Sequence, residues 1–135
     1  MKVMAIDFGS ARTGVAVSDP TGVIARPLCV VESASSEAGI AELVRLVELE
    51  RAERVVVGHP LTLHGERGQQ ARATERFASA LRTALAGALD VPVVLFDERF
   101  TTDLAQQTPS DSSEDARAAA HLLSGYLVWS SGAPA

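Results

Sequence analysis

The spacing of the apolar segments constrains the fold of this chain more than any other feature. Three strand-like segments lie within the first 31 residues, joined by links too short to hold a helix. Such links pair strands antiparallel, because a parallel connection needs a dozen or more residues. Helical and strand-like patterns then alternate, which is typical of strands that pair in parallel through right-handed crossovers. The sequence therefore predicts an α/β fold with one five-stranded mixed sheet, half antiparallel and half parallel, and helices packed against it.

The individual elements are predicted from apolar periodicity and turn residues. In chain order they are strands at 2–9, 13–18 and 23–31, a helix at 36–51, a strand at 54–58, a helix at 69–86, a strand at 91–96 and a helix from about 113 to 129. Pro27 indicates an edge position or a bulge in the third strand, because proline cannot donate to a sheet ladder. The apolar face of the first helix is assigned to Ile40, Leu43, Val44, Val47 and Leu49, and that of the second to Phe77, Ala78, Leu81 and Leu85.

Length and charge restrict the class of protein. A chain of 135 residues has room for one domain, expected to span residues 1–135. The formal net charge of −5 argues against a protein that coats nucleic acid with its whole surface, although it is compatible with a local basic groove. The single cysteine, Cys29, cannot form an internal disulfide, and no apolar run approaches the roughly 18 residues that span a bilayer. We expect a cytoplasmic protein without a membrane partner.

Carboxylates at the ends of two apolar strands are candidates for one site. Asp7 lies inside an apolar strand, where an unpaired charge is costly, so it is either paired structurally or used as a ligand or catalytic group. Asp97 and Glu98 directly follow the strand at 91–96, at the strand end where open α/β sheets bind ligands. A solvated salt-bridge cluster is the alternative for this pair. If the two strands are parallel, Asp7 meets one of the pair, and the spacing does not decide which.

Two further carboxylates, Glu114 and Asp115, open the last predicted helix. Acidic residues in a first helical turn are favoured by the macrodipole, and Ser112 or Ser113 is a suitable N-cap, so spacing alone favours a structural role. Three converging carboxylates would instead repel one another and need cations, and oxygen-only sites suit Mg²⁺ or Mn²⁺. Two such ions roughly 4 Å apart can clamp a phosphodiester during hydrolysis. The spacing permits this chemistry without requiring it.

Two loops carry further candidates. Gly9 and Gly14 have the spacing of a phosphate-binding loop, but neither the Lys-Ser/Thr pair nor a helix follows, so a β-hairpin is predicted there. His59 and His64 lie in the loop after the strand at 54–58, at the predicted functional edge. They are either ordinary loop residues or groups that meet a phosphate or assist proton transfer.

Four segments together resemble the motifs of a known family, in the same order. They are Ala5–Asp19 around the hairpin, Val57–Leu61 with Gly65 as a G-x-P-L loop, Asp97–Thr102 as a D-E-R-x-T-T signature, and Glu114–Ala120 with Tyr126 as the last helix. The D-E-R-x-T-T motif is the most specific of the four. The matches cover residues 5 to 127, and the chain thus resembles the YqgF family, also called RuvX, of pre-16S ribosomal RNA nucleases described as Holliday junction resolvase-like.

The resemblance implies an RNase H-like fold and an acidic triad at Asp7, Glu98 and Asp115, acting both as catalytic groups and as metal ligands. It thereby points to Glu98 rather than Asp97. The implied cofactor is Mg²⁺ or Mn²⁺, as two ions. The implied activity is metal-dependent hydrolysis of phosphodiester bonds in structured RNA or branched DNA, and the implied role is processing of the 5′ end of pre-16S rRNA.

The sequence departs from the family pattern where substrate contacts are expected. The link from Thr102 to Asp115 is short and acidic, and no Lys or Arg lies between Arg99 and Arg117. The remaining candidates for nucleic-acid contacts are Arg12, Arg67, Arg72, Arg76 and Arg99, with His59, His64 and Thr101 as accessory candidates. Arg72 and Arg76 are one helical turn apart, so they form either a phosphate-binding pair or a surface paired with Glu75 and its neighbours.

Other functions remain as alternatives to an RNA nuclease. A Holliday junction resolvase would cut two strands as a symmetric homodimer. A non-catalytic nucleic-acid-binding module on the same fold would gain nothing from carboxylates that repel phosphate. An actin-like or sugar-kinase ATPase also opens with an Asp-x-Gly hairpin, but that fold needs two such domains, which the length excludes.

Overall fold

The computed structural model describes residues 1–100 and 113–132. The strands are β1 (Val3–Asp7), β2 (Arg12–Ser18), β3 (Ala25–Glu32), β4 (Arg54–His59) and β5 (Val93–Asp97). The helices are α1 (Glu37–Glu50), α2 (Gln69–Ala86) and α3 (Glu114–Ser130), and a 3₁₀ turn at Glu98–Phe100 follows β5. The predicted order of elements is confirmed, with strand ends shifted by at most two residues. The 3₁₀ turn has no counterpart in the prediction, and the link at 103–113 lies outside the described residues except for Ser113.

The five strands form one mixed sheet in the order β3-β2-β1-β4-β5. β2 pairs antiparallel with both β1 and β3, whereas β4 pairs parallel with both β1 and β5. The predicted antiparallel and parallel halves are therefore both confirmed. β3 lies at the sheet edge, and its register against β2 shifts between Cys29 and Pro27, so the expectation for Pro27 is also confirmed.

Side chains of the strands alternate between two faces, and each face has its own core. One core lies beneath α1 and α2 and includes Met4, Ile6, Val57, Leu43 and Leu81. The other lies beneath α3, which packs against β1, β2 and β3, and includes Ala5, Val56, Phe96, Leu123 and Tyr126. This alternation decides on which side of the sheet a polar residue at the end of a strand emerges.

The predicted helical faces are confirmed with one exception. All four residues assigned to the second helix are buried, as are Leu43 and Val47 of the first. The assignment of Leu49 was wrong, because its side chain is 63% exposed. At about 100° per residue, Leu49 lies roughly 200° around the helix from Val47, on the opposite side.

The first turn of α3 starts at a side-chain cap. Ser113 has extended backbone angles, and its hydroxyl accepts a hydrogen bond from the Ala116 N–H at 3.2 Å. Of the two serines considered, Ser113 is the N-cap, which places Glu114 and Asp115 in the first turn. No helix within residues 1–100 and 113–132 is long and apolar enough to cross a membrane.

Candidate active site

Two carboxyl groups meet at the carboxyl-terminal edge of the parallel half of the sheet. Asp7 is the last residue of β1, and Glu98 is the first residue after β5. β4 lies between these strands, and Gly58 near its end is aligned with Phe96 of β5. Asp7 and Glu98 nevertheless share a side-chain hydrogen bond across β4. The sheet thus brings together two acidic side chains that are 91 positions apart in the sequence.

Gly58 makes this meeting sterically feasible. A Cβ atom at residue 58 would lie 2.4 Å from Oε1 and 3.1 Å from Cδ of Glu98. Carbon and oxygen do not approach so closely without a bond, so any larger residue would displace the Glu98 carboxyl group. Sequence reasoning did not single out Gly58, although it lies in the G-x-P-L segment.

The environment of the pair raises the pKa of both carboxyl groups. Burial and the nearby Asp7 charge raise the pKa of Glu98 to about 7. Burial and the charge of Asp115 raise the pKa of Asp7, against the hydrogen bond with Glu98, which lowers it. These directions describe a Glu98 carboxyl that keeps its proton and donates it in a hydrogen bond to the Asp7 carboxylate.

The raised pKa values predict a pH-dependent stability in EDTA. A carboxyl group with a higher pKa in the folded than in the unfolded chain loses its stabilising contribution as the pH rises through the folded value. For Glu98 this loss occurs over the pH window between its ordinary pKa of 4.5 and its folded pKa of about 7. We expect the melting temperature to fall by roughly 3–6 °C across this window, and by less in Glu98→Gln. If the melting temperature fell equally with pH in wild type and in Glu98→Gln, Glu98 would not be the group responsible.

Asp115 approaches the pair from α3. Its charge acts on Asp7, and its Oδ2 accepts hydrogen bonds from Nε and Nη2 of Arg12 at 2.9 and 2.5 Å. The helix start lies directly on β2 at Gly14, the residue aligned with Asp7, where an added Cβ would lie 1.9 Å from the Asp115 carbonyl oxygen. Only glycine leaves room for this contact. The hairpin that the sequence predicted therefore has a specific use for its second glycine, which the sequence did not reveal.

A second set of charged residues lies at the same edge, beside α2. His59 Nε2 is 2.6 Å from Oε2 of Glu75, and Arg67 donates to both oxygens of that carboxylate. The hydrogen bonds from Arg67 have the largest effect and the contact with His59 the next largest, and together they lower the pKa of Glu75 to about 2. Asp97 binds Arg99 through Nε and Nη2, which lowers the pKa of Asp97. The role of Glu75 was missed because nothing in its helical position signals a contact with β4.

His59 is the last residue of β4 rather than part of the following loop, which corrects the predicted strand end at residue 58. It is aligned with Asp97 of β5. Along β4, His59 alternates with Gly58, which faces Glu98 and Leu122 of the α3 side. His59 and Asp97 therefore belong with the Glu75 cluster, and Glu98 rather than Asp97 joins Asp7.

The five candidate arginines fall into two groups. Three of them form ion pairs: Arg12 with Asp115, Arg67 with Glu75, and Arg99 with Asp97. Nη1 of Arg99 also donates to the Leu63 carbonyl at 3.4 Å.

The other two candidate arginines, Arg72 and Arg76, are exposed on α2, and within the described ranges neither forms an ion pair. Glu75 binds Arg67 and His59 rather than either of these arginines. His64 is exposed in the loop, and Thr101 lies outside the described residues.

The carboxylates are suited to a hard divalent cation. In the described part of the chain, no group of three or more His, Cys, Asp or Glu side chains is arranged to hold a metal ion. Asp7 and Glu98, however, present adjacent oxygen donors in a partly buried position. Mg²⁺ is commonly held by one or two carboxylates, with waters and substrate phosphates completing its shell. The pair fits that donor set, and a cation would take the place of the proton the two groups share.

The architecture defines the class of protein. The mixed sheet with its three helices is an RNase H-like fold, as in RuvC from T. thermophilus in complex with Holliday junction substrate, with a TM-score of 0.67. That likeness covers 98% of this chain and 96% of RuvC at 18% identity, and it establishes the fold alone. Fowlpox virus resolvase, solved with Holliday junction DNA, has a TM-score of 0.53 over 97% of this chain and 96% of its own, at 12% identity.

Sequence comparisons identify the family. Residues 1–128 match the RuvX profile, described as Holliday junction resolvase. The chain belongs to the RuvX family, so the family resemblance is confirmed. A Chloroflexus aurantiacus relative is 47% identical over 105 residues, covering 78% of this chain and 66% of the relative. A Rubrobacter xylanophilus relative is 42% identical, covering 98% of this chain and 96% of its own. Both carry the name "Putative pre-16S rRNA nuclease".

Proposed function

We propose that this chain is a divalent-metal-dependent nuclease, formed by a single domain over residues 1–135, that hydrolyses phosphodiester bonds in structured RNA. Its proposed substrate is the precursor of 16S rRNA, processed at the 5′ end in the cytoplasm. The observation that carries the proposal is the pair of hydrogen-bonded carboxyls, Asp7 and Glu98, with Asp115 beside them at one sheet edge. Burying two acidic groups together costs stability, which indicates a purpose other than folding.

Asp7 and Glu98 would hold Mg²⁺ or Mn²⁺, and Asp115 would complete the set for a second ion. Bound there, the ions would polarise the scissile phosphate and lower the pKa of a bound water. The chain itself fixes the donors: β1 holds Asp7, the space left by Gly58 holds the Glu98 carboxyl, and the cap of α3 holds Asp115. Such prepositioning reduces the reorganisation needed when substrate arrives.

Substrate contacts would come from the exposed guanidinium groups around this edge. Arg72 and Arg76 lie on one face of α2 and are the strongest candidates for phosphate contacts, because no acidic partner neutralises them within the described residues. Arg67 and Arg99 are committed to carboxylates, and Arg99 also contacts the Leu63 carbonyl. Their role would therefore be to position the loop before α2, with His59 fixed by Glu75 behind it.

Two substrates have support. The names of the relatives favour pre-16S rRNA. The family description favours a four-way DNA junction, which would call for a homodimer with two sites. A binding module without catalysis is disfavoured, because carboxylates would repel phosphate at the very edge where substrate would lie.

The decisive test is cleavage of two labelled substrates, a pre-16S rRNA fragment and a four-way DNA junction. Each is incubated with Mg²⁺, Mn²⁺ or EDTA, and products are resolved on denaturing gels. We expect cutting of the RNA near the mature 5′ end, with either metal and not with EDTA. Preferential cutting of the four-way junction would mean that the protein resolves DNA junctions instead of processing RNA. Failure to cut either substrate with folded protein and metal present would contradict the proposal.

A further inference from the structure

Arg12 holds one of the three carboxylates of the candidate site. It is the first residue of β2, and both Nε and Nη2 donate to the same oxygen, Oδ2 of Asp115, at 2.9 and 2.5 Å. The Arg12 side chain is 61% exposed and that of Asp115 is 33% exposed. The pair therefore lies at the mouth of the site, where it can open without disturbing either core.

The contact neutralises charge that a cation would otherwise neutralise. Asp115 acts electrostatically on Asp7, which is itself hydrogen-bonded to Glu98, so the three carboxyl groups form one charged cluster. In the structure, the Asp115 carboxylate is balanced by the Arg12 guanidinium. A divalent cation bound to that carboxylate would face the positive charge of Arg12 within a few ångströms, and like charges at that separation repel.

We propose that Arg12 and a divalent cation compete for the Asp115 carboxylate, so that metal binding releases Arg12 for the phosphate backbone of the substrate. This inference rests on the proposed function. It makes Arg12 a positioning residue that couples the metal to substrate contact: without metal its guanidinium is occupied, and with metal it is available beside the reacting phosphate. A guanidinium suits this exchange because it forms paired hydrogen bonds with carboxylate and phosphate alike.

The opposite role for Arg12 is a support that keeps Asp115 oriented for the metal. The two roles make opposite predictions for metal affinity. Loss of a competitor strengthens cation binding, whereas loss of a support weakens it. Cleavage rates cannot distinguish them, because either role would reduce activity when Arg12 is removed.

The test is titration of the full chain with Mn²⁺ alone, by isothermal calorimetry at low ionic strength, for wild type and Arg12→Gln. We expect Arg12→Gln to bind Mn²⁺ roughly three- to tenfold more tightly, from the loss of the exposed ion pair and of the repulsion. The matched control is Arg45→Gln. Arg45 is 59% exposed and likewise donates through Nε and Nη2 to a carboxylate, Glu42 on α1. Its removal is expected to leave Mn²⁺ affinity unchanged.

The outcomes separate this inference from the proposed function. Unchanged or weaker Mn²⁺ binding by Arg12→Gln, with wild type binding normally, overturns the competition and leaves the nuclease proposal standing. An equal gain in Arg45→Gln also overturns it, because the effect would then reflect net charge alone. If wild type binds no Mn²⁺, both the metal requirement and the inference fail.

Discussion

Asp7→Asn should strongly reduce metal-dependent cleavage while leaving the protein at least as stable as wild type. The substitution preserves the shape of the side chain and removes a charge that is partly buried and repelled by Asp115. Loss of one preorganised electrostatic group commonly lowers turnover by roughly a hundred- to a thousandfold. In EDTA, removal of the repulsion should raise the free energy of unfolding. Functional groups that strain the fold commonly show this trade between activity and stability.

The matched control is Asp90→Asn, the same chemical change at an exposed residue before β5, at the opposite edge of the sheet. We expect it to change neither cleavage nor melting temperature. The measurements are single-turnover cleavage with Mg²⁺ and thermal melts in EDTA. If Asp7→Asn lost stability and activity together, Asp7 would be a structural residue and the candidate site would lose its central carboxylate.

Gly14→Ala should produce the second large effect, on both folding and activity. Its Cβ would lie 1.9 Å from the carbonyl oxygen and 2.5 Å from the carbonyl carbon of Asp115. Because these are backbone atoms, the whole first turn of α3 would have to move away from β2. We expect the free energy of unfolding to fall by about 1–3 kcal/mol. A displacement of about 1 Å at Asp115 would lower cleavage by roughly a hundredfold.

Gly68→Ala serves as the control for Gly14→Ala. Gly68 is the N-cap of α2, and an added Cβ meets no heavy atom within 4 Å. Alanine is a poorer N-cap than glycine, so urea denaturation should show a loss of at most about 1 kcal/mol, without any backbone clash. Cleavage is compared where circular dichroism shows both variants folded. Similar losses for the two variants would mean that the contact between Gly14 and Asp115 does not set the position of α3.

The sequence alone predicted the features that depend on neighbouring residues. The short links between the first strands allow only antiparallel pairing, and the observed sheet follows. The helical spacing of Phe77, Leu81 and Leu85 identified a buried face. Asp7 was recognised because a carboxylate inside an apolar strand is unusual whatever the fold. Leu49 shows the limit of this reasoning, since its place on a helix face depends on the exact angle rather than on hydrophobicity.

The tertiary structure alone decided which distant groups meet, because spacing within one segment carries no information about distances to another. From the residues themselves Asp97 and Glu98 are equivalent. Glu98 contacts Asp7 because Gly58 between them has no side chain, whereas Asp97 binds Arg99 on the α2 side. The arginines could be counted in the sequence, but their availability depends on ion pairs formed across the fold. The sequence therefore predicted which types of residue form the candidate site. Their geometry depends on the packing of α3 and β4 against β1.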